Sequence, residues 1–340
     1  MRLSIIGRST SSLSGFHLEG RRLVGPSPAR GHSPSRLGYS CRSFWKRFIP
    51  VVLVTLLGET ISQALAQAPS PATTRSCLWK VTSRDSTVHM LGSVHLLKKD
   101  AYPLNRTIES AFNGSQTLLL EVNLDEMTSH EVQQLILSKG LLADGKTLPE
   151  VLSKESLVLV KERIDALGLQ LEAVQRLKPW LLTMTLALAK LQQLGYDPAH
   201  GIDKYFFDKA KGQRKEILAL ETAEFQINLL DSLPPKTQEA ALLQTLKELD
   251  MMEKEFDAIV QAWKIGDTKR LEDSLLESFK EYPEVYQKIV SERNKNWIPK
   301  IEESLKRRGK TMLVVGAAHL VGTDGVVELL RNKGYVVEPQ

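Results

Sequence analysis

Apolar positions follow two patterns in residues 77–340: short unbroken runs near either end, and helical periodicity between them. "CLWKVT" (77–82) and "TVHMLGSVH" (87–95) are β-type runs separated by the turn-like "SRDS", which predicts a hairpin. "TLLLEVN" (117–123) is apolar up to Glu121 and reads as a third strand. From 128 to about 194 the spacing is helical, with Pro179 placed to open the last of those helices. "HGIDKYFFDKAKG" (200–212) starts another helix, "KEILALE" (215–221) reads as a strand, and 222–310 is again mostly helical and charged. The chain closes with the strand "TMLVVGAAH" (311–319), a helix over 324–332 and the strand "YVVEP" (335–339). The expected fold is α/β in the α+β sense: a central mixed sheet built from N- and C-terminal strands and covered by a helical middle. Runs such as "LLLEV" and "MLVVG" suit a sheet buried on both faces.

Charge alters the picture only at the start of the chain. Residues 1–66 hold nine Lys/Arg and two Asp/Glu, a net of +7; the remainder holds 45 − 9 = 36 basic and 40 − 2 = 38 acidic residues, a net of −2. The overall charge of +5 therefore belongs to the leader, and a nucleic-acid partner loses its compositional support. Lys46 and Arg47 precede the apolar "FIPVVLVTLL" (48–57), and "ALAQA" (64–68) offers small residues at a cleavage spacing. We expect a leader with a signal peptide over 1–66, a linker over 67–76 and one domain over 77–340. The mature protein is then exported, to the periplasm or outside the cell, with no stable membrane insertion. The Ser, Gly, Pro and Arg-rich first segment points to a true start near Leu37. Cys77 is the one cysteine such a mature chain keeps, so no internal disulfide is expected.

The chemistry lies where strands end. Gly92 is followed three residues later by His95, and Gly316 by His319, the same element repeated 319 − 95 = 224 positions apart. A glycine there lets the chain turn sharply off the strand and lets backbone approach a site closely. Glu121 and Glu221 also fall at predicted strand ends, and in open α/β sheets ligands bind along that edge. Two neutral imidazoles and a carboxylate form a divalent-metal shell that leaves a position open for water. The candidate ligands are His95, Glu121 and His319; a further carboxylate, Glu221, and Arg293 of "SERNKNW" are the candidate catalytic groups.

Each residue also has a plainer reading. Either histidine alone would be a hydrogen-bonded structural residue; the repeated context makes the pair a site. Glu121 ends a strand where an unpartnered carboxylate would be costly. Glu221 suits a helix start equally well, and Arg293 equally suits pairing with a neighbouring helical acid. His89 should point away from His95, His130 reads as surface helix, His200 as a loop or cap residue, and Asp203 as the cap of the helix it opens. The glycines of "GAAHLVGTDG" match neither phosphate-loop spacing.

"CLWKVTSRDSTVHMLGSVHLLKKDAYPL", "LLLEVN", "GIDKYFFDKAKG", "LALETAEFQ", "ERNKNWIPKI" and "MLVVGAAHLVGTDGVVELLRNKGYVV" together resemble the TraB/GumN family, which is related to the Tiki metalloproteases. The resemblance spans roughly 77–338. It implies a fold similar to the erythromycin esterase and ChaN-like groups, and a metal-dependent peptidase using manganese or cobalt, with zinc a further option. By that likeness His95 and His319 match the motif histidines, Glu121 the strand-end carboxylate and Arg293 the late arginine. The expected substrate is a peptide or protein. A non-enzymatic protein that binds a metal or small ligand in the same cleft is the alternative.

Overall fold

The computed structural model describes residues 76–143, 145–276, 279 and 282–340. The leader expected over 1–66 and all but Ser76 of the linker lie outside the described residues. Among those described, no helix is long and apolar enough to cross a membrane.

Six strands form one mixed sheet in the order β4-β3-β5-β2-β1-β6, with β1 Leu78–Thr82, β2 Ser86–Ser93, β3 Thr117–Leu120, β4 Glu216–Ala219, β5 Gly309–Gly316 and β6 Val337–Pro339. β1 and β2 make the expected antiparallel hairpin, and β6 pairs antiparallel with β1. β2, β3, β4 and β5 run parallel to one another: Ser93 of β2 pairs with Gly316 of β5, Leu120 of β3 with Val314, and Leu120 again with Ala219 of β4. Their carboxyl ends therefore share one edge.

Apolar content decides which strands are central. Met312, Leu313, Val314 and Val315 are all fully buried, as are Val88, Met90 and Leu91 in the neighbouring strand. Such runs fit strands covered on both faces. The expected helices form, among them α1 Pro179–Gln193, α2 Ile202–Gly212, α3 Ala223–Asp231, α4 Glu292–Lys306 and α5 Val326–Asn332. α1 has Pro179 in its first turn and buries Trp180, Leu182, Leu186, Ala187 and Leu191, so it is a core helix rather than an amphipathic surface one. α2 packs on β3, β4 and β5, and α4 packs on β2. Thr222 caps α3, its hydroxyl accepting from the Phe225 amide, and this starts the helix directly after Glu221.

Candidate functional site

The parallel strands deliver four side chains to one edge. His95 lies two residues past β2, Glu121 one past β3, Glu221 two past β4 and His319 three past β5. The β3–β4 ladder continues beyond its ends, the Glu221 amide donating to the Glu121 carbonyl at 2.8 Å, so the two carboxylates stand side by side.

His95, Glu121 and His319 converge on Gly316. A Cβ built on that glycine would sit 3.3 Å from His95 Nε2, 3.3 Å from Glu121 Oε1 and 3.6 Å from His319 Cδ2. The Gly316 amide also donates to Glu121 Oε1 at 2.7 Å. The chain turns off β5 at Gly316, straight into a 3-10 turn over Ala317–His319, and it does so at φ −49°, which any residue can adopt; Gly92 likewise is not among the glycines with positive φ. The use of Gly316 is space: any side chain would fill the point where the three groups meet. The close approach expected of the glycine is therefore what Gly316 provides.

Arg293 ties the cluster together from α4. Its Nε donates to both Glu221 oxygens at 3.0 and 3.1 Å, and Nη2 donates to Glu121 Oε2 and Glu221 Oε2 at 2.7 Å each. Nη1 donates to the Ile289 carbonyl at 3.1 Å and to His319 Nε2 at 2.9 Å. All five guanidinium N–H groups have acceptors, as a side chain only 5% exposed requires. A π-type turn over Gln287–Ser291 precedes α4, and the Glu292 amide bonds the Gln287 carbonyl five residues back. Such turns recur at functional positions. The alternative for Arg293, pairing with an acid on its own helix, is not realised: its acids come from β3 and β4.

The protonation pattern follows from these contacts. Arg293 only donates, so His319 Nε2 must accept and the proton sits on Nδ1, which donates to Asn294 Oδ1 at 2.7 Å. Burial pushes the His319 imidazole down, Arg293 adds to this against the opposing pull of Glu121, and the pKa falls to about 3. Burial alone would raise Glu121, but Arg293 and the Gly316 amide contribute to outweighing it and its carboxyl sits at about 2. His319 is neutral and Glu121 ionised at ordinary pH.

His95 is held differently. Its Nδ1 donates to Asp203 Oδ2 at 2.6 Å, and the Ser93 hydroxyl donates to the same oxygen. Asp203 is not the cap expected for α2: Gly201 is the N-cap residue and makes no side-chain bond. The Ile202 amide donates to the Val94 carbonyl at 3.1 Å, which ties the first turn of the helix to the segment bearing His95, and the acid turns inward. A Cβ on Gly201 would lie 2.1 Å from the His95 carbonyl oxygen, so only glycine permits this approach.

Sequence reasoning missed four partners: Asp203, Asn294, Gln226 and Trp297. Gln226 Nε2 donates to Glu121 Oε2 at 3.3 Å and to Glu221 Oε2 at 3.2 Å, and Trp297 Nε1 donates to Glu221 Oε1 at 2.8 Å. Trp297 follows Arg293 by one helical turn, a spacing that places both on one face and was readable in "RNKNW". Glu221 thus has both oxygens engaged, chiefly by Arg293. The other described histidines stay outside the cluster. His89 sits mid-strand between Lys80 and Met312; His130 opens a surface helix with Gln134 at 2.8 Å; the His200 carbonyl accepts from Tyr102. Cys77 is buried, its thiol pushed up to about 12 by burial and then by Asp267, which leaves it unreactive.

Whether this set suits a metal ion divides into kind and position. In kind it does, with two imidazoles whose Nδ1 atoms are tied to oxygen acceptors and an ionised carboxylate. In position two donors, His95 Nε2 and Glu121 Oε1, face the space at Gly316. The third, His319 Nε2, is engaged by Arg293. Accordingly, no group of three or more His, Cys, Asp or Glu among the described residues stands at ligand spacing. For this set to hold a divalent cation, His319 Nε2 would have to exchange its contact with Arg293.

Comparison with known proteins gives a family without naming a reaction. The chain is 25% identical over 243 residues to the uncharacterized protein YbaP of Escherichia coli strain K12, covering 72% of this chain and 87% of that one. It is 21% identical over 271 residues to an uncharacterized protein of Treponema pallidum strain Nichols, covering 75% and 80%. No solved structure matches. The family model described as TraB/PrgY/gumN matches residues 77–339, and the chain belongs to that family.

Proposed function

We propose that this protein is an exported metal-dependent hydrolase that cleaves peptide bonds in a peptide or protein substrate. The observation that carries the reading is the convergence of His95, Glu121 and His319 on the side-chain-free Gly316 at the carboxyl edge of the parallel strands. His95, Glu121 and His319 would hold the ion, manganese or cobalt by family resemblance and zinc as a further option. When bound, a divalent ion supplies Lewis acidity, polarising a carbonyl oxygen and lowering the pKa of water toward about 7.

The chain's own groups do the rest. His319 stays neutral, and therefore able to donate a lone pair, because burial and Arg293 resist its protonation. Glu121 stays ionised and offsets the charge of a cation. Arg293 brings its positive charge beside the reacting space, and the Nη1–H that His319 Nε2 gives up on turning to the ion becomes the donor for negative charge developing on a substrate oxygen. Glu221 aims Arg293, since both of its oxygens accept from that guanidinium. Export rests on the basic and apolar pattern of residues 46–68.

The test is hydrolysis of a fluorogenic peptide library by the purified protein, before and after EDTA and after returning Mn2+. Activity lost to chelation, restored by the ion and missing from His95→Ala is expected. Hydrolysis untouched by chelator and by His95→Ala would overturn the reading. Metal binding with no hydrolysis of any peptide would favour a binding protein.

A further inference from the structure

We propose that Asp203 is a positioning residue of this site: its carboxylate fixes the His95 ring so that Nε2 is the atom presented beside Glu121 and Gly316. This deepens the functional reading above and rests on His95 serving the site's chemistry.

Three independent features point the same way. The carboxylate is 8% exposed, and its Oδ2 accepts from His95 Nδ1 at 2.6 Å while the Ser93 hydroxyl holds the same oxygen. A carboxylate accepts and does not donate, so Nδ1 carries a proton, and in the neutral ring the lone pair belongs to Nε2. Nε2 is the ring atom found 3.3 Å from the Gly316 Cβ point. Finally, the helix bearing Asp203 is registered to the strand bearing His95 by the Ile202–Val94 backbone bond and by Gly201, whose missing Cβ is the only room the His95 carbonyl has. The acid sits one residue beyond that bond. Since Gly201 is the N-cap and Asp203 lies inside the first turn, making no capping bond, a capping role leaves the burial of this carboxylate unexplained, whereas orientation of the ring accounts for it.

The decisive experiment uses the metal-free protein with 15N-labelled histidine, where long-range proton–nitrogen spectra report the tautomer of each ring. Wild type should show His95 protonated on Nδ1. Asp203→Asn keeps the volume but offers an amide that can donate as well as accept, so His95 should shift to the Nε2-protonated or a mixed tautomer. His319, held by Asn294, should not change and serves as the internal control for an intact fold. Mn2+ affinity of the same variant should fall by about 10- to 100-fold, the usual loss on removing a partner of a ligating histidine. Asp203→Glu should recover the Nδ1–H tautomer and part of the affinity; if Asp203→Asn does not fold, this variant and Ser93→Ala carry the test. A His95 tautomer unchanged in folded Asp203→Asn, or lost in Asp203→Glu with the acid still present, would overturn the proposal. If wild type binds no Mn2+ yet the tautomer shifts, the metal reading fails while the positioning role of Asp203 stands.

Discussion

The two Gly–x–x–His elements are identical in spacing and adjacent in the sheet, Ser93 pairing with Gly316, yet the protein uses them differently. Gly92 makes room for the other element: a Cβ there would lie 3.2 Å from the Ala317 Cα, and its carbonyl accepts from Trp263 Nε1. Gly316 makes room for the site itself. The first histidine leans on a carboxylate, Asp203; the second leans on an amide, Asn294, and faces a cation, Arg293. The repeat therefore arises because neighbouring parallel strands end together and each delivers an imidazole to the same edge. What each imidazole becomes is decided by a helix that the repeat does not contain.

The strongest way to break the comparison is on the second histidine's side. Arg293→Met leaves Glu121 and Glu221 buried without their cation, which should cost about 3 to 5 kcal/mol in urea denaturation. Arg293→Lys should recover part of this and remain impaired in turnover, since an ammonium lacks the five-donor fork. His95 should keep its tautomer in both variants.

The glycines should separate stability from function. Gly92→Ala pushes a methyl against backbone and should destabilise by about 1 to 3 kcal/mol, read as a lowered denaturation midpoint. Gly316→Ala meets side-chain oxygen and nitrogen instead. It should lose less stability but reduce peptide turnover on the order of a hundredfold, as small displacements of reacting groups do. The reverse ranking would mean that the two motifs have been assigned the wrong way round.

A further effect is in pH. Unfolded, the His319 imidazole takes a proton below its ordinary value of 6.5; folded, it does so only near 3. The unfolded state therefore binds more protons between those values, and stability is lost as pH falls from 6.5 toward 3. Glu121 acts with the same sign lower down, its contribution being lost between 4.5 and about 2. His319→Gln should flatten the stability profile between pH 6.5 and 4.5, as measured by chemical denaturation of the metal-free protein.

Much of this was legible in the sequence, for physical reasons. Apolar runs such as Met312–Val315 had to be buried strands, and a glutamate ending "TLLL" had to find a partner. The shared Gly–x–x–His spacing marked the edge. Asp203 was misread because an acid near a helix start has a local explanation, capping, and only its long-range bond to His95 Nδ1 shows the other role. The π-type turn before Arg293 has no signature in apolar periodicity, and without it the partners of Arg293 could not be chosen. Gln226 and Asn294 are polar residues on charged helices, indistinguishable from solvated ones until the strand order is known.

The central claim is that both motif histidines serve one divalent cation. Calorimetric titration of Mn2+ into chelator-treated protein measures this directly in wild type, His95→Ala and His319→Ala. The account predicts a single saturable site in wild type and loss of that site in each variant, with the fold retained by circular dichroism. Equal binding in all three proteins would contradict it.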